Sequence, residues 1–223
     1  MVPAAGKGKR LGAGTPKAYL FVRGKPLFVH TLRALKKAYP FRGIILVVDI
    51  SRIAHARKEL VRHGLGHVWL TSGGATRAES VKNGLLAVPS GPHLVAVHDA
   101  ARPLVSREVV RRTVAAARKG TGAICAIPIS STVKRVDPDR GIIQGMEDRN
   151  RLVLAQTPQV FSRSALLSRY RTLGSKAYRA TDEAALFDGS RLSVRVVEGD
   201  ERNMKVTSKS DLECLKKSLR NRG

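Results

Sequence analysis

Short apolar, β-branched runs alternate along the chain with longer amphipathic stretches. Residues 44–48, 68–70, 94–97 and 123–127 are strand-length runs of this kind, the pattern of strands buried on both faces. Between them the apolar positions take helical spacing. Phe28, Leu32, Leu35 and Tyr39 fall on one face, and Val109, Val110, Val114 and Ala117 do the same ahead of the run at 123–127. Ser208 is placed to cap a terminal helix whose apolar face carries Leu212, Leu215 and Leu219. Strands alternating with helices predict an α/β fold: a single Rossmann-like three-layer domain over residues 1–223, with a mostly parallel sheet covered on both faces.

The alternation breaks at 129–158. An extended stretch at 129–136, a turn at Asp137-Pro138-Asp139-Arg140-Gly141 and a second extended stretch at 142–146 predict a β-hairpin, an arm at about 129–152 that protrudes from the domain. At the other end, only Met1 and Val2 precede Pro3. Sheets of this kind open with a buried strand, so the expectation is either a very short first strand or one whose beginning lies upstream of Met1. No linker, internal repeat or low-complexity tract interrupts the chain.

Composition narrows the class. Hydrophobic residues make up 43% of the 223 positions, a globular proportion, and no apolar run approaches the roughly 20 residues that span a bilayer. The first residues lack the apolar core of a secretory signal. Cys125 and Cys214 stand far apart, which disfavours a disulfide framework or zinc site and fits a reducing cytoplasm. Lys and Arg outnumber Asp and Glu by 41 to 17. That surplus raises a basic nucleic-acid-binding protein as an alternative, but the cations are scattered and aromatics are only 4%, leaving few stacking platforms. A surface that attracts small anionic substrates is the simpler expectation, with no specific nucleic acid and no membrane as partner.

The first loop carries candidate phosphate chemistry. In the run from Pro3 to Gly12, Gly6 and Gly8 let main-chain N–H groups approach a ligand, while Lys7, Lys9, Arg10 and the later Lys17 gather positive charge. The loop is neither a Walker A sequence, since no GK[ST] occurs, nor a dinucleotide fingerprint, since Leu11 stands where the third glycine belongs. No GxSxG elbow supports a serine hydrolase. His63 and His67 are separated by Gly64 and Gly66, a poor setting for a helical metal pair.

Taken with Pro16-Lys17, this loop resembles the signature of the cytidylyltransferases in the glycosyltransferase-A-like nucleotidyltransferase superfamily. Further matches follow in order: Gly73-Gly74 with Arg77 and Ser80; His98-Asp99-Ala100-Ala101-Arg102-Pro103; Thr132; Asp148-Arg149-Asn150; Thr157-Pro158-Gln159; Thr181-Asp182-Glu183-Ala184; and Asn203-Met204-Lys205-Val206-Thr207. They span almost the whole chain and are most similar to the 2-C-methyl-D-erythritol 4-phosphate cytidylyltransferase family of the non-mevalonate isoprenoid pathway. The ribitol-5-phosphate cytidylyltransferases are the nearest competitor. They tend to carry LAGG where this chain has Pro3-Ala4-Ala5-Gly6, and HDAVRP where it has His98 to Pro103.

The resemblance implies that an acceptor phosphate oxygen attacks the α-phosphorus of CTP and expels pyrophosphate, with Mg²⁺ or another divalent cation held mainly by the triphosphate and Asp99 as a possible ligand. It assigns Arg10, Lys17 and Lys205 to catalysis. Ala4, Ala5, Gly6, Gly8, Gly74, Arg77, Ser80, Asp99 and Ala100 are implied to bind the nucleotide. Asp99, Arg102, Thr132, Arg149, Thr157 and Lys205 are implied to bind the sugar-alcohol phosphate, Thr132 and Arg149 from the arm of a second subunit in a homodimer. The family often has an acidic residue where this chain has Ala75. Position along an extended strand turns His98 away from Asp99, toward a structural role.

Overall fold

The computed structural model describes residues 1–6, 15–91, 93–117 and 122–220. The sequence-predicted strands fall where four apolar runs were placed, with small shifts of boundary. They are β4 (Ile45–Val48), β5 (Trp69–Ser72), β6 (Leu94–Val97) and β7 (Gly122–Pro128). Ahead of them lie β1 (Val2–Pro3) and a small antiparallel pair, β2 (Phe21–Val22) and β3 (Lys25–Pro26), whose tight turn puts both Arg23 and Gly24 at positive φ. After β7 come β8 (Val133–Asp137), β9 (Ile142–Glu147), β10 (Val153–Ser162) and β11 (Val194–Glu198).

The main sheet is built from two hydrogen-bonded groups, β1-β4-β5 and β11-β7-β10-β6. Met1 joins them: its amino group donates to Ala96 O at 2.8 Å, and His98 N–H donates to Met1 O at 3.0 Å. The order across the sheet is therefore β5-β4-β1-β6-β10-β7-β11. β10 runs antiparallel to both neighbours, while β1, β4 and β5 are mutually parallel and β11 is parallel to β7. The first strand spans Val2–Pro3, which both expectations allow.

Helices cover both faces. Leu46 and Val48 pack with Phe28 and Leu32 of α1 (Leu27–Ala38), Ala56 and Leu60 of α2 (Ile53–Arg62), and Val109 and Val110 of α4 (Arg107–Ala116). Val95, Val97, Ile124 and Phe161 pack on the other side with Val81 and Leu85 of α3 (Arg77–Leu86) and with Leu166 and Tyr170 of α5 (Arg163–Leu173). α3 lies so close to the sheet that a Cβ on Gly84 would stand 2.9 Å from a methyl of Val47 and 2.1 Å from the sulfur of Met1. α6 (Lys209–Arg220) buries Leu215, with Leu212 and Leu219 beside it, against Leu27 and Val206. Ser208 caps it, its hydroxyl accepting from Asp211 N–H at 3.2 Å, while the Asp211 carboxylate accepts from Thr207 and Ser208 N–H at 2.8 Å.

β8 and β9 form the predicted hairpin. Its turn is fixed by Asp137, whose carboxylate accepts from Asp139 and Arg140 N–H, and by Gly141 at φ 66°. Val136, Ile142, Ile143 and Met146 are exposed on it. Among the described residues, no helix is long and apolar enough to cross a membrane.

Candidate active site

Ligands of open α/β sheets gather at the carboxyl ends of the strands, and here a cleft of about 280 Å³ lies there, lined by Pro3, Ala4, Ala5, Gly6, Lys17, Ala18, Arg77, Ser80, Asp99, Ala100, Ala101, Lys205 and Thr207. Ala4 N–H donates to Val47 O at 2.7 Å, which carries the β1–β4 ladder one residue past the strand and delivers Ala5 and Gly6 into the cleft. A short 3₁₀ turn at Lys17–Tyr19 brings in Lys17, anchored by buried Ala18 and Tyr19. Asp99 and Ala100 emerge from β6. Thr31 on α1 holds Ala100 O at 2.7 Å, and Asp99 N–H donates to Thr157 Oγ1 at 3.0 Å. Arg77 is the first residue of α3, whose start is capped by Thr76.

Asp99 is the electrostatic centre. Its Oδ2 pairs with Lys205 Nζ at 2.7 Å and faces Arg102 Nε at 3.7 Å, while its Oδ1 takes Arg77 at 3.3 Å. Burial alone would raise its pKa, yet the surrounding cations, Arg77 first, hold the carboxyl well below the usual carboxylate range. Asp99 is thus a permanent anion, and in this state it occupies the cations that a phosphate would seek. Glu183 holds the far side of Arg77.

Lys205 reaches the cleft on a loop fastened by amide side chains. Gln156 donates to Asp200 O at 2.9 Å and accepts from Asn203 Nδ2 at 3.2 Å, and Asn203 also donates to Thr157 O at 2.8 Å. Val206 N–H donates to Ala101 O at 2.9 Å on the other side of Lys205. Sequence reasoning gave no role to Gln156, Gln159, Glu183 or Asn203. Gln156 and Gln159 lie on β10, Glu183 and Asn203 on loops, and their burial, which obliges them to find partners, shows only in the fold.

Ala4, Ala5, Gly6, Lys17, Arg77, Ser80, Asp99, Ala100 and Lys205 are brought together, as expected. Gly8 and Arg10 lie outside the described residues. Gly74 sits beside the cleft, its N–H donating to Ser80 Oγ at 3.0 Å, while that hydroxyl donates to Thr76 O at 2.9 Å. Besides lining the cleft, Ser80 holds the glycine loop through its hydroxyl. A Cβ on Gly73 would stand 2.7 Å from it, so the close approach requires glycine. At Ala75, where the family often has an acid, the main-chain N–H donates to Glu79 Oε2 at 2.7 Å.

Two expected acceptor-binding residues, Thr157 and Arg102, are placed differently. Thr157 is buried behind Asp99, its hydroxyl accepting from Asp99 N–H and donating to His98 Nδ1 at 3.0 Å. Arg102 is also buried, donating to Asn203 O at 2.7 Å and to Ala155 O at 3.4 Å. Both brace the cleft and do not line it. Thr132 and Arg149 belong to the hairpin region, where the Arg149 guanidinium donates to Ser130 O. His98 is structural: Nε2–H donates to Arg102 O at 3.0 Å, and burial lowers its pKa to about 4, leaving it neutral.

The sequence profile of the 2-C-methyl-D-erythritol 4-phosphate cytidylyltransferase family matches residues 1–221. A 2-C-methyl-D-erythritol 4-phosphate cytidylyltransferase of Bacillus cereus is 38% identical over 221 residues, covering 99% of this chain and 96% of its own length. That of Geobacter metallireducens is 37% identical over 217 residues, covering 95% of this chain and 93% of its own. Among solved structures, the 4-diphosphocytidyl-2C-methyl-D-erythritol synthase of Anaerococcus prevotii superposes with a TM-score of 0.84 at 28% identity, over 98% of this chain and 94% of that one. The Thermus thermophilus 2-C-methyl-D-erythritol 4-phosphate cytidylyltransferase gives 0.80 at 29% identity, over 98% and 97%. The glycine-opened cleft, the cations gathered on Asp99 and these full-length matches agree, and the chain belongs to the 2-C-methyl-D-erythritol 4-phosphate cytidylyltransferase family.

Proposed function

We propose that this cleft transfers a cytidylyl group from CTP to 2-C-methyl-D-erythritol 4-phosphate, releasing pyrophosphate and 4-CDP-2-C-methyl-D-erythritol. The observation that carries the reading is the meeting of Lys17, Arg77 and Lys205 with the Ala5–Gly6 main chain around one permanent carboxylate. An oxygen of the acceptor phosphate forms a bond to the α-phosphorus of CTP while the bond from that phosphorus to the bridging oxygen breaks, and pyrophosphate leaves. The nucleophile is already an anion, so the protein needs no general base. It must align two mutually repelling anions and stabilise charge on the five-coordinate phosphorus.

Lys17, with Arg10 from the first loop, neutralises the α-phosphate. Main-chain N–H groups at Ala5 and Gly6 cradle phosphate oxygens, and Arg77 serves the nucleotide end. Lys205 exchanges Asp99 for the acceptor phosphate when that substrate arrives, and Asp99 is freed to meet a hydroxyl or a cation. A Mg²⁺ ion, or another divalent cation, would gather the triphosphate and neutralise the leaving pyrophosphate. Among the described residues no cluster of His, Cys, Asp or Glu could hold a metal by itself. The ion's ligands would come chiefly from phosphate and water, with Asp99 as the lining carboxylate within reach.

The hairpin is proposed as the contact of a homodimer. Its exposed Val136, Ile142, Ile143 and Met146, continued by exposed Leu152, Val153 and Leu154, form apolar surface that a second copy would cover. Thr132 and Arg149 would then serve the neighbour's cleft. Mixing Arg149→Ala with Lys17→Ala protein is expected to restore activity in heterodimers; no recovery after verified subunit exchange would remove the shared site.

Pyrophosphate release tests the reaction. CTP with the erythritol-phosphate acceptor and Mg²⁺ is expected to turn over well ahead of ATP, GTP and UTP. Turnover with ribitol 5-phosphate alone would overturn the acceptor assignment. Tight, sequence-selective RNA binding at physiological salt without CTP turnover would overturn the enzyme reading.

A further inference from the structure

Behind Arg77, which lines the cleft, lies a carboxylate for which the transfer chemistry has no use. Glu183 is only 1% exposed, yet both its oxygens are engaged by Arg77, at 2.7 and 3.0 Å from the two terminal guanidinium nitrogens. The other edge of the same guanidinium faces Asp99, with Nε and Nη2 each 3.3 Å from Oδ1. Arg77 is therefore a bridge whose shorter, bidentate end is at Glu183.

Glu183 is itself held. Gln159 Oε1 accepts from the main-chain N–H of Glu183 and of Ala184 at 3.0 Å each, and Gln159 Nε2 donates to Asp182 Oδ2 at 2.9 Å. Asp182 Oδ1 in turn accepts from Ala185 N–H at 3.0 Å. Gln159 lies on β10 opposite Val97, the last residue of β6 before the His98-Asp99 segment. One ladder thus fixes both carboxylates between which Arg77 hangs. The arrangement also answers a local problem. Arg77 is the first residue of α3, where the helix dipole disfavours a cation, and a long unpaired side chain there would sample many rotamers.

We infer that Glu183, held by Gln159, is a positioning residue that fixes the Arg77 guanidinium in the nucleotide end of the cleft. It acts through Arg77 and touches neither substrate. The inference rests on reading the cleft as the CTP site. In Glu183→Gln, which keeps the volume and removes the charge, the KM for CTP is expected to rise about tenfold, while kcat and the KM for the acceptor stay within about threefold. Arg77→Ala should show the same pattern, and Glu183→Gln should add nothing in the Arg77→Ala background. Additive effects in the double variant, or a fall in kcat with an unchanged KM for CTP, would overturn the inference.

Gln159→Met provides the check if Glu183→Gln does not fold. It removes the acceptor for the two amides and should raise the KM for CTP in the same direction by a smaller factor; a folded Gln159→Met protein with the wild-type KM would overturn the inference. Wild-type protein that neither binds nor turns over CTP would remove the CTP site and the inference together. Wild-type turnover with an unchanged KM in the folded variants would remove the Glu183 assignment alone.

Discussion

Arg77 and Arg135 each face a glutamate at 2.7 Å, and the two pairs belong to regions built on opposite plans. Arg77 reaches across the cleft wall to an enclosed Glu183 and cross-links α3, the loop before residue 184 and, through Gln159, β10. Arg135 pairs with Glu147 across the two strands of the hairpin, with 62% of its side chain in solvent. Both partners of the second pair meet solvent, whereas in the first Glu183 is enclosed and Arg77 keeps only 26% of its side chain exposed. The contrast is one of place, not of chemistry: the cleft spends its charges on a fixed geometry, whereas the hairpin keeps its charged pair in solvent and displays apolar side chains.

The largest effect expected from this contrast is on the buried side. Glu183→Ala leaves Arg77 with Asp99 as its remaining partner and should cost about 3 kcal/mol of stability, measured by urea unfolding. A loss no greater than that of a surface substitution would mean that the wall is solvated and that the distinction between the regions fails.

The next effect concerns pH. Burial lowers the His98 pKa to about 4, against an ordinary value near 6.5, so the unfolded chain takes up a proton before the folded one does. His98 therefore contributes stability that is present above pH 6.5 and is lost as pH falls toward 4. Between pH 7 and pH 5 the loss should be about 2 kcal/mol. Comparing the wild type with His98→Gln isolates this imidazole from other groups, and an equal pH slope in both proteins would contradict its burial in the neutral form.

A smaller effect is expected for Lys17→Ala, which should lower turnover about tenfold or more, about 1.4 kcal/mol of transition-state stabilisation, with little change in melting temperature. The smallest belongs to the hairpin pair: Arg135→Ala should change stability by no more than about 0.5 kcal/mol.

The buried strands and the hairpin were legible because each depends on local pattern. Residues 45–48 are apolar without interruption, and the turn at 137–141 carries both an Asp that bonds its own backbone and a glycine at positive φ. β10 was not legible as a strand. Gln156, Thr157, Pro158 and Gln159 interrupt it, and the ladder with β7 shifts register across the same residues. Those polar side chains are what the strand is for, since they hold Asp99, the Lys205 loop and Glu183 from behind. α3 was also missed: Gly84 lowers its propensity, and that glycine is explained only by the closeness of Val47 and Met1.

The cleft residues were legible through resemblance, which gives position in a motif but not direction in space. It placed Lys17, Asp99 and Lys205 where they meet. It also placed Thr157 against the acceptor, although its hydroxyl is committed to Asp99 N–H and His98. Short polar side chains at strand and helix ends often bond the nearest main chain first, and the sequence does not record which partner wins.

The most direct test is a crystal structure with CTP and Mg²⁺ bound. The account predicts the triphosphate in the cleft, with Lys17 Nζ and the main-chain N–H groups of Ala5 and Gly6 within hydrogen-bonding distance of its oxygens, and Asp99 close by. CTP bound elsewhere on the protein, with Lys17 and Lys205 facing no phosphate, would contradict it.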